Sequence, residues 1–218
     1  MALAFGPPGS GLLSQQQLEA SPVVANNAMN RERRLAGYAA DLRFDLMTFL
    51  QQQGSWLDLC CGQGRALDEA ARKLPDCFIE GVDLTDHFYP TIAPQVRLRT
   101  ESVNEYEPNR KFRLITCVHG LHYVGDKLGL VARALGWLEP GGVFLAHLDC
   151  QNLRLGGRPA RPGFFASHGL DYHRKFRLLR SGPRELDFGW RYLGADDKAG
   201  PNSTGQPAVN SFYSEPTE

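Results

Sequence analysis

Trp56-Leu57-Asp58-Leu59-Cys60-Cys61-Gly62-Gln63-Gly64-Arg65-Ala66-Leu67 is the stretch that decides the fold. Residues 56–59 supply a short apolar run that reads as a buried strand. Gly62 and Gly64 then supply backbone without a Cβ, so the chain can turn sharply and approach a ligand closely. Leu67, Ala70, Ala71 and Leu74 recur at helical spacing. A strand, a glycine loop and a helix N-terminus form a turn suited to a nucleotide.

The 218 residues suit one domain with a full core. Lys+Arg and Asp+Glu are equal at 24 each, so bulk charge favours neither DNA nor an anionic membrane. No apolar run is long enough for a transmembrane helix, and the first residues lack the basic and apolar regions of a signal peptide. Five cysteines, an odd number with no CxxC pair, read as buried thiols in a reducing compartment, and a cytoplasmic location is expected. No metal site is expected: zinc-ligand spacing is absent, and Asp149 with Asn152 is too small a set for a hard cation.

Outward from the turn, strands and helices alternate. Upstream, a helix is predicted after Pro22, broken at Gly37-Tyr38, with Asn26, Asn27, Asn30 and Arg31 forming a polar side that would close over the loop. Asp45 caps a second helix over 46–52. Residues 1–44 are expected to form a cap, 45–194 the core and 195–218 a tail of one domain. Downstream, 77–84 is a second strand, 85–93 a short irregular helix, 95–100 a third strand and 112–118 a fourth. Asp126 caps a helix running to Leu138; Glu139-Pro-Gly-Gly142 turns the chain into a fifth strand over 143–149. This alternation predicts a parallel sheet with helices on both faces. A short helix is expected near 164–168. Residues 171–180 and 184–194, joined by Ser181-Gly182-Pro183, read as an antiparallel hairpin, and the last 24 residues as turn-forming and polar.

Asp83 lies 19 residues after Gly64, the place of an acid that hydrogen-bonds ribose hydroxyls. The third glycine of the dinucleotide fingerprint is replaced by Leu67. Asp58, at the tip of the first strand, would repel a pyrophosphate by kilocalories at reduced dielectric. A cationic, phosphate-free ligand is favoured instead, and S-adenosylmethionine, with its sulfonium and ammonium, has that chemistry.

These residues resemble the class I S-adenosylmethionine-dependent methyltransferases, clearly over 45–150. Leu57-Asp58-Leu-Cys60-Cys-Gly62-Gln-Gly64 is similar to the family's first motif, Val82-Asp83-Leu84 to its ribose motif, and Leu138-Glu-Pro-Gly-Gly142 to the segment before strand five. Cys60 stands where many members have glycine. The resemblance implies a Rossmann-like, seven-stranded, mostly parallel sheet in the order 3-2-1-4-5-7-6, strand seven antiparallel, with an N-terminal helical cap. It implies cofactor contacts from Asp58, Cys60, Gly62, Gly64, Asp83, Leu84, Ser102, Val103 and His119, with Arg31 and Tyr38 from the cap.

Methyl transfer is an in-line displacement that requires alignment and exclusion of water, plus a base for some acceptors. The fourth strand ends beside the sulfonium in this fold, so His122, His119 and Tyr123 are the catalytic candidates, His122 the preferred base. Asn30, Tyr123, Asp149, Asp197, Asn202 and Gln206 are the candidate acceptor contacts, with the tail as a pocket wall; its 24 residues can extend ~80 Å, far enough to return across the sheet. The absence of an Asn-Pro-Pro-Tyr or Asp-Pro-Pro-Tyr signature after the fourth strand argues against transfer to amides or adenine amines of that type. A small-molecule acceptor, such as a natural-product or secondary-metabolite intermediate, is expected, with no DNA or membrane partner and a homodimer left open. The alternatives are a peptide or RNA acceptor, which a groove using Arg154, Arg158 and Arg161 would favour, and a non-catalytic cofactor-binding scaffold. A nicotinamide-linked oxidoreductase is disfavoured by Asp58 and Leu67.

Overall fold

The computed structural model of the chain describes residues 11–25, 33–51, 54–202 and 205–215. Its centre is a seven-stranded sheet. Strands β1 (Ser55–Leu59), β2 (Phe78–Asp83), β3 (Val96–Thr100), β4 (Phe112–Cys117) and β5 (Leu138–His147) run parallel, and β8 (Asp171–His173) and β9 (Leu178–Ser181) complete the edge antiparallel. The order is β3-β2-β1-β4-β5-β9-β8. Counted within this sheet alone, β8 and β9 are its sixth and seventh strands, so the order is 3-2-1-4-5-7-6 with the seventh antiparallel to its neighbours.

The strands alternate between two buried faces, as the pleat demands of a sheet covered on both sides. Leu57, Leu59, Ile115, Phe144 and Ala146 pack with Leu128, Val131 and Leu135 of helix α5 (Lys127–Gly136). Trp56, Leu114 and Leu145 face the other way, against helices α2 (Leu35–Leu42), α3 (Leu46–Leu50) and α4 (Arg65–Ala71). Two helices are capped as expected, Asp45 accepting from the Thr48 amide and Asp126 from the Gly129 amide.

Four expectations are corrected. The Gly37-Tyr38 break does not occur: both residues lie inside α2, where Leu35, Tyr38 and Leu42 bury one face and outweigh the ~1 kcal/mol that glycine costs a helix. The helix predicted after Pro22 falls largely on residues 26–32, outside the described residues. No helix forms over 85–93; Pro90 and Pro94 interrupt the segment, and the Ala93 amide donates to Asp68 (2.8 Å) instead of to a helical turn. The strand-five turn is absorbed into β5, which starts at Leu138 with an irregular register against β4. The edge hairpin turns at 174–177 rather than 181–183: Gly182, Pro183 and Gly189 keep 182–190 out of any ladder.

The segment read as a polar tail instead joins a second sheet of order β10-β11-β6-β7, made of β6 (Leu153–Leu155), β7 (Arg158–Pro159), β10 (Arg191–Ala199) and β11 (Ala208–Ser214). Helix α1 (Gln15–Glu19), closed by a Ser14–Gln17 capping box, lays its fully buried Leu18 on Ala195 and Val209 of this sheet. A further short helix, α6 (Gly163–Ser167), lies where the sequence placed one. Among the described residues no helix is long and apolar enough to cross a membrane.

Two polar anchors tie β11 to α5. Tyr213 Oη accepts from the Leu128 amide and donates to Asp126, both at 3.0 Å. Lys127, wholly buried, donates at 2.8 Å to the Val124 and Val209 carbonyls and to Ser211 Oγ. Burial draws its pKa down to about 7, while Asp126 and Asp196 oppose that shift. Lys127→Met takes the Lys127 donor from the Val124 carbonyl and leaves Val209 O a long contact from Asn152 Nδ2 (3.5 Å), so a loss of ~2–4 kcal/mol is expected in urea denaturation; an unchanged midpoint would show that the second sheet does not depend on this anchor.

Candidate functional site

The site begins at the C-terminal tip of β1. Cys60 adopts a left-handed backbone (φ 60°) that few non-glycine residues take, and Gly62 and Gly64 follow at φ 59° and 74°. The turn is pinned to β2: the Cys61 amide donates to Val82 O (3.0 Å) and the Gly62 amide to Asp83 Oδ2 (2.7 Å). Leu67, which replaces the third fingerprint glycine, is fully buried against Gly81 of β2, where an added Cβ would come within 2.5 Å of Leu67 Cδ1. The close helix–strand approach is kept, with the glycine on the strand rather than on the helix.

Beneath the turn lies Asp58, fully buried. Its Oδ2 accepts from Tyr38 Oη (2.7 Å) and its Oδ1 from Thr116 Oγ1 (2.5 Å), and Thr116 in turn accepts from Trp56 Nε1 (2.8 Å). Burial pushes the Asp58 pKa up to about 6, against the pull of these two hydrogen bonds and of Arg33. Both oxygens are therefore committed to the protein; Asp58 supports the turn from below rather than lining the cavity above it.

That cavity, about 670 Å³ counting its open mouth, lies along the C-terminal ends of β1 to β4. Cys60, Asp83, Leu84, Ser102, Val103, Asn104, Gly120, Tyr123 and Val124 form its floor and sides; Gln15, Glu19, Val24 and Arg33 close it from the N-terminal region. Asp83 Oδ1 also accepts from the Thr85 amide and hydroxyl (3.2 and 3.3 Å). Glu19 reaches across the mouth, its Oε1 accepting from Ser102 Oγ and Gln15 Nε2 at 2.5 Å each. Two buried polar atoms of the lining have no hydrogen-bond partner, Arg33 Nη1 and Asn104 Oδ1. Burial opposes the Arg33 charge, but Tyr38 and Asp58 outweigh it and hold its pKa above the ordinary value.

A histidine stack stands beside the cavity. His119, left-handed at φ 61°, places its ring 4.1 Å from that of His147 and its Nε2 3.5 Å from Asp41 Oδ2. His119 Nδ1 has no partner. Burial lowers the pKa of His119 and of His147 to about 4, helped by Arg33 at His119 and by the His119 ring at His147. His122 is wholly enclosed, both ring nitrogens unpartnered, and burial takes its pKa to about 3.

The structure thus gathers Cys60, Asp83, Leu84, Ser102, Val103 and Tyr123 in one cavity, with Gly62, Gly64, Asp58 and Tyr38 supporting it and His119 adjoining it. The second sheet brings Asn202 Nδ2 to 3.5 Å from Tyr123 Oη, and Gln206 O accepts from the Asn202 amide (2.8 Å). Asp197 is half-buried on β10. Asp149 has other employment: it accepts from the Gln151 amide (3.0 Å) and pairs with Arg177 (2.9 Å). Asn30 and Arg31 lie outside the described residues. Arg33, Glu19, Asp41 and His147 escaped the sequence reading. His147 had a signal, a histidine at the C-terminal end of a parallel strand; Arg33 was masked by its place in the run Arg31-Glu-Arg33-Arg34.

Fold and site together define an α/β domain with a nucleotide-type glycine turn, and acids rather than phosphate-binding groups surround that turn. A methyltransferase domain family matches residues 29–194, more than half of the chain. The chain belongs to this methyltransferase domain family. Trans-aconitate 2-methyltransferase of Pseudomonas paraeruginosa is 32% identical over 94 residues, 42% of this chain and 34% of that protein. Malonyl-[acyl-carrier protein] O-methyltransferase 2 of Ilyobacter polytropus is 21% identical over 148 residues, 65% of this chain and 56% of that protein. The chain thus spans between about a third and just over half of the length of these relatives. The plantazolicin methyltransferase BpumL, solved with a pentazolic desmethyl analogue and S-adenosylhomocysteine, aligns with a TM-score of 0.49 at 18% identity, over 61% of this chain and 55% of that one. Among the described residues no group of three or more His, Cys, Asp or Glu side chains is placed to hold a metal ion.

Asp83 joins the turn to the cavity, so Asp83→Ala is expected to weaken S-adenosylhomocysteine binding at least ~10-fold in calorimetric titration, the ~1.4 kcal/mol or more of a lost charged hydrogen-bond acceptor. Wild-type affinity in that variant would remove Asp83 from the site.

Proposed function

We propose that the chain transfers the methyl group of S-adenosylmethionine to a small-molecule acceptor of the natural-product or secondary-metabolite kind. The observation that carries this reading is the single cavity that unites Cys60, Asp83, Ser102 and Tyr123, residues from the ends of separate strands, under a cap holding an unpartnered Arg33 Nη1. The residues fit the cofactor. Asp83 would hold ribose hydroxyls; Leu84, Ser102 and Val103 would flank the base; Arg33 would take the carboxylate of the methionine end. The buried Asp58 charge favours a cation above it and disfavours a pyrophosphate.

When bound, S-adenosylmethionine supplies a methyl group already activated by its sulfonium. The chain's own task is to orient the acceptor, exclude water and receive a proton. His119 is the residue placed to receive it. With a pKa near 4 its ring is neutral at pH 7, Nδ1 is free, and Asp41 at Nε2 fixes its orientation and would steady the imidazolium. His122, fully enclosed, would shape the pocket from behind, and Tyr123 with Asn202 would bound the acceptor on the second-sheet side.

Titration with S-adenosylmethionine, S-adenosylhomocysteine and NAD tests the cofactor; binding of NAD alone would end this reading. His119→Ala is expected to lower turnover by ~10²–10⁴ with S-adenosylhomocysteine affinity within about threefold of wild type; equal loss of both would make His119 a structural residue. The pH dependence follows from Asp58. Below about pH 6 the carboxyl is protonated and its attraction for a cation is lost. S-adenosylmethionine should therefore bind more tightly as pH rises from 5 to 7 and level off above. Asp58→Asn should flatten that rise, and a rise that persists in the variant would assign it to another group.

A further inference from the structure

On the β5–β9 side of α2 lies a second groove, of about 710 Å³ counting its open mouth. Its floor is apolar, Leu145 of β5 and Leu178 of β9, and its rims are cationic. The Arg43 guanidinium lies over the Phe176 ring at 4.1 Å, Lys175 Nζ approaches the same ring at 5.5 Å, and Arg180 sits over Phe44 at 5.5 Å. Among the described residues none of these three cations forms an ion pair. An arginine held over a ring by a cation–π contact still has N–H donors to offer, and those donors match a carboxylate or phosphate two at a time. One acid tempers the charge: Asp171 lines the groove and stands directly across the strand pair from Arg180.

Arg43 is also held in an uncommon backbone state. It closes α2 at φ 49°, ψ 42°, a C-terminal position where glycine is the usual occupant. A left-handed arginine is disfavoured relative to glycine, and here the exposed Arg43 side chain places its guanidinium over Phe176. The groove adjoins the site across α2: the buried Leu42 lines it, and the residue before it, Asp41, pairs with His119; two peptide units, at most ~7.6 Å, separate the Cα atoms of Asp41 and Arg43. His147, in the same face of β5 as Leu145, bonds the Asp41 backbone.

We propose that this groove binds an anionic end, carboxylate or phosphate, of the methyl acceptor, and so selects acceptors carrying such a group. The proposal rests on the assignment of His119 as the residue facing the acceptor. Arg43 and Arg180 supply the paired donors, Phe44 and Phe176 hold their planes, and Leu145 and Leu178 receive the apolar part of the chain that leads from the anion to the reacting atom.

The test uses the full-length chain saturated with S-adenosylhomocysteine. Sodium succinate and sodium phosphate are titrated separately at constant ionic strength against sodium chloride, and the Nε–H resonances of Arg43 and Arg180 are followed by NMR. One of the two anions should shift both resonances saturably where chloride does not, and which one does so distinguishes carboxylate from phosphate. The Arg43→Gln/Arg180→Gln double variant should weaken that anion at least tenfold as read by calorimetry. Asp171→Asn should strengthen it about threefold, with S-adenosylhomocysteine affinity within twofold of wild type in both variants. Equal shifts with chloride, unchanged anion affinity in the double variant, or weaker binding in Asp171→Asn would overturn the proposal. A wild-type chain that bound the anion but not S-adenosylhomocysteine would instead overturn the methyl-transfer reading, and with it the link from groove to acceptor.

Discussion

A buried carboxylate must be hydrogen-bonded, and Asp58 meets that requirement from two directions at once. Thr116 comes from the neighbouring strand, its directly paired residue in the β1–β4 register; Tyr38 comes from α2. A slip of β4 by one residue would turn Thr116 to the opposite face and leave the carboxylate short of a donor. Displacing α2 would do the same through Tyr38. One side chain therefore couples the strand register to the seat of the cap helix. What α2 and its flanks bring depends on that seat: Arg33 just before the helix, Asp41 inside it and Arg43 at its end. The edge contact of Tyr38 on Trp56 and the Trp56–Thr116 hydrogen bond close the same network from the apolar side.

The parallel core was legible in the sequence because strands buried on both faces read as continuous apolar runs, and the glycine turn marked where the first of them ends. Asp58 and Asp83 were legible by position as acids near the C-terminal ends of the first two strands. Their partners were not, since Tyr38 and Thr116 lie 20 and 58 residues from Asp58 and nothing local marks them. Gly37 misled because propensity is a weak prior once three residues of a helix are buried. The second sheet was missed for a related reason. Its strands are polar, bulged and paired over long sequence separations: β11 takes β6 as its parallel neighbour, Ser211 opposite Leu153, 58 residues earlier. A composition rich in Asn, Gly and Pro looks like a tail until the pairing is known. Lys127 gave no warning either, because a lysine at the start of an amphipathic helix ordinarily faces water.

The second sheet also explains how so short a helix as α1 can take part in the site. Five residues do not hold a helix in water unaided. Leu18 and the Leu13–Ala195 bridge dock α1 on β10, and from there Glu19 reaches Ser102 over the cavity. Those contacts to Glu19 are side-chain hydrogen bonds at a part-buried mouth, the kind that exchanges readily for a ligand's donors, whereas the apolar contacts beneath are not spent by that exchange. The mouth is therefore built from the part of the molecule that opens at least cost, on a base tied down by Lys127 and Tyr213.

Charge explains why the histidines are buried. His119 and His147 stand near Arg33 and His122 near Lys127 and Arg177, and the ligand favoured by Asp58 is itself cationic. A protonated imidazole in that company would repel both the neighbouring cations and the ligand. Burial solves the problem by holding all three pKa values between about 3 and about 4, so the stack stays neutral across the physiological range. The same burial makes His119 a weak base towards bulk water. Among the described residues Asp41 is the carboxylate paired with its ring, at 3.5 Å, so any positive charge that the stack did take up would be compensated at His119 rather than at the fully enclosed His122.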